Sequence, residues 1–184
     1  MRIGIAILLL LVSCKQATNN VELPPGIYTV STDTSLHHIN GVWFKSAAPY
    51  NGYILEKEGR YTVSKLPIIN GREHGWCCGW YASGNKKYKR HYINGNRDGN
   101  QIGWYENGVV SFVLFFRNDK YEGEQKAFYK SGNKKQVLHY VNGYEEGQQK
   151  TWNDSGKVVN NFTVKKGKLY GVIGRYDCMS VVNK

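Results

Sequence analysis

A 24-residue period runs through this chain and constrains its fold more than any other feature. One unit is clearest over residues 70–93, where Asn70-Gly71 is followed by a glycine at 75, Trp-Tyr at 80 and 81, and a glycine at 84. Further copies open without insertion at Asn94, Asn118, Asn142 and Lys166. Self-similarity at a period of this size is typical of repeat architectures, in which each unit stacks on its neighbours.

Two columns of glycine, each a set of positions 24 residues apart, indicate where the chain turns. The first consists of Gly75, Gly99, Gly123, Gly147 and Gly171, and the second of Gly84, Gly108, Gly132 and Gly156. Glycine recurs where φ must be positive or where backbones approach closely. The second column lies in Ser-Gly and Asn-Gly contexts typical of hairpin turns, and the dipeptides that open the units form another set. Each unit is therefore predicted to contain two short strands and two turns.

Aromatic columns occupy the predicted strands. The first holds Trp80, Trp104, Phe128, Trp152 and Tyr176; Tyr81, Tyr105 and Tyr129 follow it; Tyr92, Phe116 and Tyr140 form the third. Such residues suit a pleated surface, and no helical periodicity competes with this pattern. A hairpin that pairs Trp80 with Tyr88 would place Cys78 opposite Arg90. The same register places Trp104 opposite Phe112 and Trp76 opposite Tyr92, which predicts one apolar face and one largely polar face.

The pattern x-Asn-Gly-x-x-x-Gly-x-x-x-x-Trp-Tyr-x-x-Gly resembles the MORN repeat, specifically the bacterial variant that is labelled antitoxin-like in families of uncharacterised proteins. The resemblance covers residues 47–178, with a degenerate leading copy over residues 49–59. It implies a row of β-hairpins but no agreed activity. We therefore expect an all-β fold: an elongated, single-layer, twisted antiparallel sheet of repeated β-hairpins.

The N-terminal sequence predicts that the protein is exported and attached to a membrane. Met1-Arg2 precedes an apolar run over residues 3–12, which is typical of a secretory signal and too short to span a bilayer. Leu11-Val12-Ser13-Cys14 resembles a bacterial lipobox, so residues 1–13 are predicted to be a lipoprotein signal peptide and Cys14 the lipid-attachment site. An ordinary signal peptide with an incidental cysteine is the alternative. Lys15, where a retention signal would place Asp, favours the outer membrane of a bacterial cell envelope, with the membrane face left open.

The remaining chain divides by composition. Residues 14–25 form a polar, lipidated tether that ends in Pro24-Pro25. Residues 26–46 are predicted to supply N-terminal capping strands, because an open sheet edge invites pairing with other chains. Residues 47–178 form the repeat domain of five to six units, and residues 179–184 form a C-terminal tail.

The net charge of +11 comes with lysine clusters that follow the hairpin turns, such as Lys86-Lys87 and Lys134-Lys135. One interpretation is a solvated sheet surface whose charges prevent aggregation. The other is a strip that binds an anionic glycan or lipid headgroup. Nucleic acid is not an expected partner for an exported, membrane-tethered protein.

No catalytic, cofactor-binding or metal-binding residues are predicted. His74, Cys77, Cys78 and His91 resemble a metal cluster, but the assumed register brings together only Cys77 and His91 where a structural zinc site needs four ligands. The spacing of the repeats separates Cys178 too far from either cysteine for a disulfide. No serine lies in a triad context. The carboxylates of Glu122, Glu124, Glu145 and Glu146 fall in turn columns with no fixed partner expected.

Three functions remain, and none is enzymatic. The first is a membrane-anchored scaffold that binds a protein partner not named by the sequence. The second is a surface module that binds glycan or anionic lipid through its aromatic and lysine columns, and the third, from the family label alone, is an antitoxin-like partner of a toxin. Candidate binding residues are Trp80, Trp104, Phe128 and Trp152 with Tyr81, Tyr105 and Tyr129, although the same aromatics could instead form the thin core of the fold.

Overall fold

The computed structural model describes residues 26–172, and every regular element in that range is a β-strand. The predicted signal peptide, Cys14, the tether, Tyr176, Cys178 and the tail lie outside the described residues. The strands are β1 (Tyr28–Val30), β2 (Leu36–Ile39), β3 (Val42–Lys45), β4 (Ala48–Pro49), β5 (Gly52–Glu58), β6 (Tyr61–Ile69), β7 (Arg72–Glu73), β8 (Gly75–Trp80), β9 (Lys86–Ile93), β10 (Asn96–Trp104), β11 (Val110–Arg117), β12 (Lys120–Tyr121), β13 (Gly123–Phe128), β14 (Lys134–Val141), β15 (Tyr144–Trp152), β16 (Val158–Lys165) and β17 (Lys168–Val172).

The repeats form one long sheet in which neighbours in sequence are neighbours in space. The strand order is β1-β5-β6-β8-β9-β10-β11-β13-β14-β15-β16-β17, and the short strands β7 and β12 pair with β6 and β11. All these pairings are antiparallel except that of β1 with β5, which is parallel. The predicted all-β array of hairpins is confirmed.

Both predicted kinds of turn are confirmed. The dipeptides that open the units have positive φ at both residues, as in Asn94 (50°) and Gly95 (86°), which matches the strand twist. At the opposite end, Gly84 has a φ of 86°, and its N–H donates to the carbonyl of Tyr81 at 2.8 Å. The Tyr81 N–H donates to the Asn85 carbonyl at 2.9 Å, which closes a three-residue loop around the glycine.

The predicted strand register is wrong by one residue. Tyr88 lies opposite Gly79 and Arg90 lies opposite Cys77, while a β-bulge between Gly79 and Trp80 leaves Trp80 opposite Lys86. The next hairpin repeats this arrangement, with Phe112 opposite Gly103. The bulge adds one residue to the returning strand beside the turn, and a one-residue slip moves side chains to the other face.

The slip separates aromatic columns that the sequence appeared to place together. One side of the sheet, here called the tryptophan face, carries the column of Trp80, Trp104, Phe128 and Trp152. The other side, here called the glutamine face, carries Tyr88, Phe112, Tyr92, Phe116 and Tyr140, together with a column of Gln101, Gln125 and Gln149. The prediction that Trp76, Cys78 and Trp80 share a face with Tyr88, Arg90 and Tyr92 is therefore wrong.

The side chains of the glutamine column make hydrogen bonds to backbone groups where the ladder between successive units is interrupted. Gln125 is 2% exposed, its Oε1 accepts from the N–H of Phe115 at 2.9 Å, and its Nε2 donates to the Phe115 carbonyl at 3.1 Å. Gln149 makes the same pair of bonds to His139, at 3.2 and 2.8 Å. Strands β11 and β13 pair directly only at Phe112 and Val113, so the buried amide takes the place of a missing backbone partner.

The first full unit has no glutamine in this column, and it also has no backbone N–H at the position from which the glutamine would accept. Cys77 occupies the column there, and the residue equivalent to Phe115 and His139 is Pro67. Proline has no N–H to satisfy. The Pro67 carbonyl accepts from the N–H of His74 at 3.0 Å, as the Phe115 carbonyl accepts from the N–H of Glu122. A thiol is therefore tolerated where the other units use an amide.

A small conventional core lies at the N-terminal end. Tyr50, Ile54 and Ile68 are buried there, and three partly buried side chains pack against them, namely Leu36, Trp43 and Leu66. Strands β2, β3 and β4 form a separate three-stranded sheet that supplies Leu36 and Trp43. Strand β1 lies along β5, so the first hairpin of the array has a neighbour on both sides.

Candidate functional site

The tyrosine column links successive hairpin tips. The hydroxyl of Tyr81 donates to the carbonyl of Trp104 at 2.8 Å, that of Tyr105 to Phe128 at 2.9 Å, and that of Tyr129 to Trp152 at 2.9 Å. The three rings are half-buried. Because each hydroxyl is already bonded to the next unit, this column holds neighbouring hairpins together.

The tryptophan column lies in a row on the tryptophan face but does not stack ring on ring. Trp80, Trp104, Phe128 and Trp152 are all half-buried, and within residues 26–172 no ring contact joins successive members. Lysines lie between them instead. The Nζ of Lys86 lies 5.9 Å from the Trp104 ring centroid, and that of Lys150 lies 5.2 Å from the Trp152 centroid. Both arrangements are within the range of cation–π attraction.

The lysines and aromatics converge in a groove across β13, β14 and β15. Its lining includes Glu124, Lys126, Lys134, His139, Lys150 and Trp152. Glu124 carries most of the compensating charge, since its Oε1 lies 2.5 Å from the Nζ of Lys126 and its Oε2 lies 3.5 Å from the Nε2 of His139. Lys134 and Lys150 have no carboxylate partner in the described part of the chain. This groove therefore favours an anionic partner.

The carboxylates in the turn columns have fixed partners, contrary to prediction. The Oε2 of Glu122 accepts from the N–H of Asn142 at 2.8 Å, and the Oε2 of Glu146 accepts from the N–H of Lys166 at 3.0 Å. Each therefore caps the turn that opens the next unit. Glu145 accepts from the Tyr140 hydroxyl at 3.3 Å. These acids stabilise the array, and only Glu124 lies in the groove.

The cysteine and histidine residues do not meet as the assumed register required. Cys77 faces Arg90 on the glutamine face, whereas His91 lies opposite Trp76 on the tryptophan face. Cys77 and Cys78 form no disulfide among the described residues, and burial is the largest cause that raises the pKa of the Cys77 thiol. Among residues 26–172 no group of three or more histidine, cysteine or acidic side chains could hold a metal ion.

Two sets of residues that shape the array and its grooves were not predicted from the sequence. Gln101, Gln125 and Gln149 recur 24 residues apart in the sequence. Their side chains are only 0–2% exposed, and hydropathy does not indicate this burial. Arg90 and Arg97 were also missed, although each replaces an uncharged residue in the next unit, Leu114 and Tyr121 respectively. That comparison between units was available from the sequence.

A row of matched β-hairpins with two accessible faces, each hairpin bonded to the next, defines a β-repeat array. Within it, residues 97–118 and 121–142 match the family model described as the MORN repeat variant. Two repeats are thus similar to MORN units, and MORN repeats generally serve in interactions with proteins or membranes. No curated protein matches the chain. Over residues 26–172 there is no helix with the length and apolar character needed to cross a membrane.

Proposed function

We propose that the protein is a non-catalytic bacterial lipoprotein whose repeat array is a scaffold for an acidic protein partner. The observation that carries this proposal is the groove of the tryptophan face, where Lys134 and Lys150 lie beside Trp152 and have no carboxylate partner within residues 26–172. Aromatic residues are enriched in protein interfaces, and complementary charge accelerates association. A row of equivalent units also allows one elongated partner to contact several of them.

The anchor in this proposal is Cys14. The residues Leu11-Val12-Ser13-Cys14 resemble a lipobox. Each buried CH₂ of an acyl chain contributes about 0.8 kcal/mol, so a lipidated N-terminus with several chains holds the array at a bilayer. The change Cys14→Ser is expected to move the protein from the membrane fraction or to leave its precursor unprocessed. Acyl-label incorporation checks this, and wild-type protein without label would refute the anchor.

The partner surface is tested separately from the anchor. The membrane-bound protein is crosslinked in cells, and the amount of captured partner is compared between wild type and the double variant Lys134→Glu/Lys150→Glu. A matched control, Lys57→Glu/Lys130→Glu, makes the same charge change at exposed positions outside the groove. We expect the groove variant alone to lose the partner. Equal loss in both variants would indicate an effect of net charge and contradict the proposed surface.

A second candidate, binding of an anionic glycan or lipid headgroup, is favoured by the same contact of Lys150 with Trp152. Cosedimentation with vesicles containing phosphatidylglycerol, compared with phosphatidylcholine vesicles, tests the lipid arm of this alternative. Binding that survives in the Lys134→Glu/Lys150→Glu variant would exclude the groove as the site. The antitoxin-like alternative predicts that the captured partner is toxic when produced alone.

A further inference from the structure

The glutamine face carries a second groove with different chemistry. Strand β10 forms its floor, with the buried Gln101 between Gly99 and Gly103. Strand β9 supplies one wall and β11 the other, and the residues that line the groove include Arg90, Tyr92, Arg97, Phe112, Phe116 and Tyr121. The groove encloses about 350 Å³, which is within the range of small-molecule sites.

This groove has arginine at two positions where the later units have none. The column of Arg90 continues as Leu114, Leu138 and Phe162, and the column of Arg97 continues as Tyr121, Glu145 and Leu169. The fold therefore accepts an apolar residue at the position of Arg90 in three other units. Arginine at both positions occurs only at this junction among the four units compared, so the repeat architecture does not require it.

The two guanidinium groups are held in place by aromatic rings. The Cζ of Arg90 lies 4.6 Å from the Tyr88 ring centroid, and the Cζ of Arg97 lies 4.1 Å from the Phe116 centroid. Arg97 donates through Nε to Asp119 at 2.7 Å, whereas Arg90 has no carboxylate partner among residues 26–172. Stacking of this kind fixes the guanidinium plane, and the N–H groups of Arg90 that do not bond to the Tyr92 side chain remain free to donate.

The floor of the groove offers an unused acceptor. The Nε2 of Gln101 donates to the His91 carbonyl at 2.8 Å, but its Oε1 is buried without a hydrogen-bond partner in the described structure. The equivalent oxygens of Gln125 and Gln149 each accept from a backbone N–H. A buried acceptor without a partner is costly, and a donor from a ligand would remove that cost.

We propose that this groove binds a carboxylated sugar unit of an acidic polysaccharide. The carboxylate would bind the guanidinium of Arg90 in the two-bond geometry that arginine offers and lysine does not. The half-buried ring of Phe112, which lies over Gly103 in this groove, would contact the C–H face of the sugar, and the Oε1 of Gln101 would accept from a sugar hydroxyl. This site is on the face opposite to the proposed protein-binding groove and does not depend on that function.

The experiment titrates the full-length protein with trigalacturonic acid and, in parallel, with neutral galactotriose, using calorimetry. We expect the acidic trimer to bind and the neutral trimer to bind at least about ten-fold more weakly, because a charge-assisted pair is lost. Arg90→Leu, which installs the residue found at the same position in two other units, is expected to weaken binding of the acidic trimer by about ten-fold or more. Arg60→Leu, at an exposed hairpin tip, is the control and should bind as wild type does.

A second variant keeps the test decisive if Arg90→Leu disturbs the fold. Arg90→Lys retains the charge and most of the stem but not the planar fork, and it should weaken binding several-fold. No binding of the acidic trimer at millimolar concentration would overturn the proposal. Equal binding of the two trimers, or unchanged affinity in both Arg90 variants, would also overturn it.

Discussion

The buried amide of Gln125 provides the sharpest test of how the repeats are joined. Its Oε1 accepts from the Phe115 N–H, and its Nε2 donates to the carbonyls of Phe115, Glu122 and Gly123 at 3.1, 2.9 and 3.3 Å. Gln125→Leu preserves the approximate volume and removes all four bonds. Leaving the buried Phe115 N–H without an acceptor costs about 1–3 kcal/mol, and losing the bonds made by the two Nε2 hydrogens costs about 1 kcal/mol each, so we expect a total loss of about 3–5 kcal/mol.

The chain supplies graded controls for this prediction. Gln101→Leu removes one bond, to the His91 carbonyl, and should cost about 1 kcal/mol. Gln148→Leu changes an exposed neighbour of the column and should cost less than about 0.5 kcal/mol. Urea midpoints at constant slope give the order of stability. Hydrogen exchange at the Phe115 amide localises the effect, because long repeat arrays can unfold in parts. A Gln101 variant less stable than the Gln125 variant would refute the reasoning.

Three further changes test other features of the array. Trp104→Ala, at a half-buried position, should cost about 2 kcal/mol in a thermal melt, and an unchanged melt with lost partner binding would identify the column as a contact surface. Gly132 has a φ of 94° and room for a Cβ, so Gly132→Val should cost about 1–3 kcal/mol through backbone strain alone; a melt equal to wild type would contradict this. Because burial raises the pKa of the Cys77 thiol above its unfolded value of about 8.5, the folded chain keeps a proton that the unfolded chain loses. The contribution of Cys77 to the free energy of unfolding should therefore be constant below about pH 8 and fall at higher pH, so stability should fall less steeply above about pH 8 in Cys77→Ala.

The turns were predictable from the sequence because their chemistry is local. Asn-Gly at the start of a unit and glycine at position 84 each determine backbone geometry within three or four residues. The strand register was not predictable in the same way. The bulge beside Trp80 shifts the returning strand by one residue, and no residue type marks it. Because of that single shift, Tyr88 and Trp76 lie on opposite faces, although the predicted register placed them on the same face.

The candidate sites were predicted in part. The tryptophan column and the first lysine of the predicted clusters lie on one face and approach each other, as in Lys86 and Trp104. The glutamine column and the two arginines were missed because hydropathy assigns polar residues to the surface. Only comparison of equivalent positions reveals that Gln125 is retained in neighbouring units and that Arg90 is not. In a repeat protein, a polar residue that is retained from unit to unit indicates a structural role, and a residue that departs from the repeat pattern indicates a functional site.

The order of strands in the sheet has a consequence for how the chain folds. Each hairpin pairs only with its neighbours in the sheet, so contacts between strands join residues within about one repeat of each other and the loops that must close are short. The only cluster of buried side chains among the described residues, around Ile54 and Ile68, lies at the N-terminal end, whereas Leu169 and Tyr170 in β17 are each 55% exposed. Nucleation at the N-terminal cluster, followed by addition of one hairpin at a time, is therefore the favoured order of assembly. Protection against hydrogen exchange should decrease from β6 towards β17.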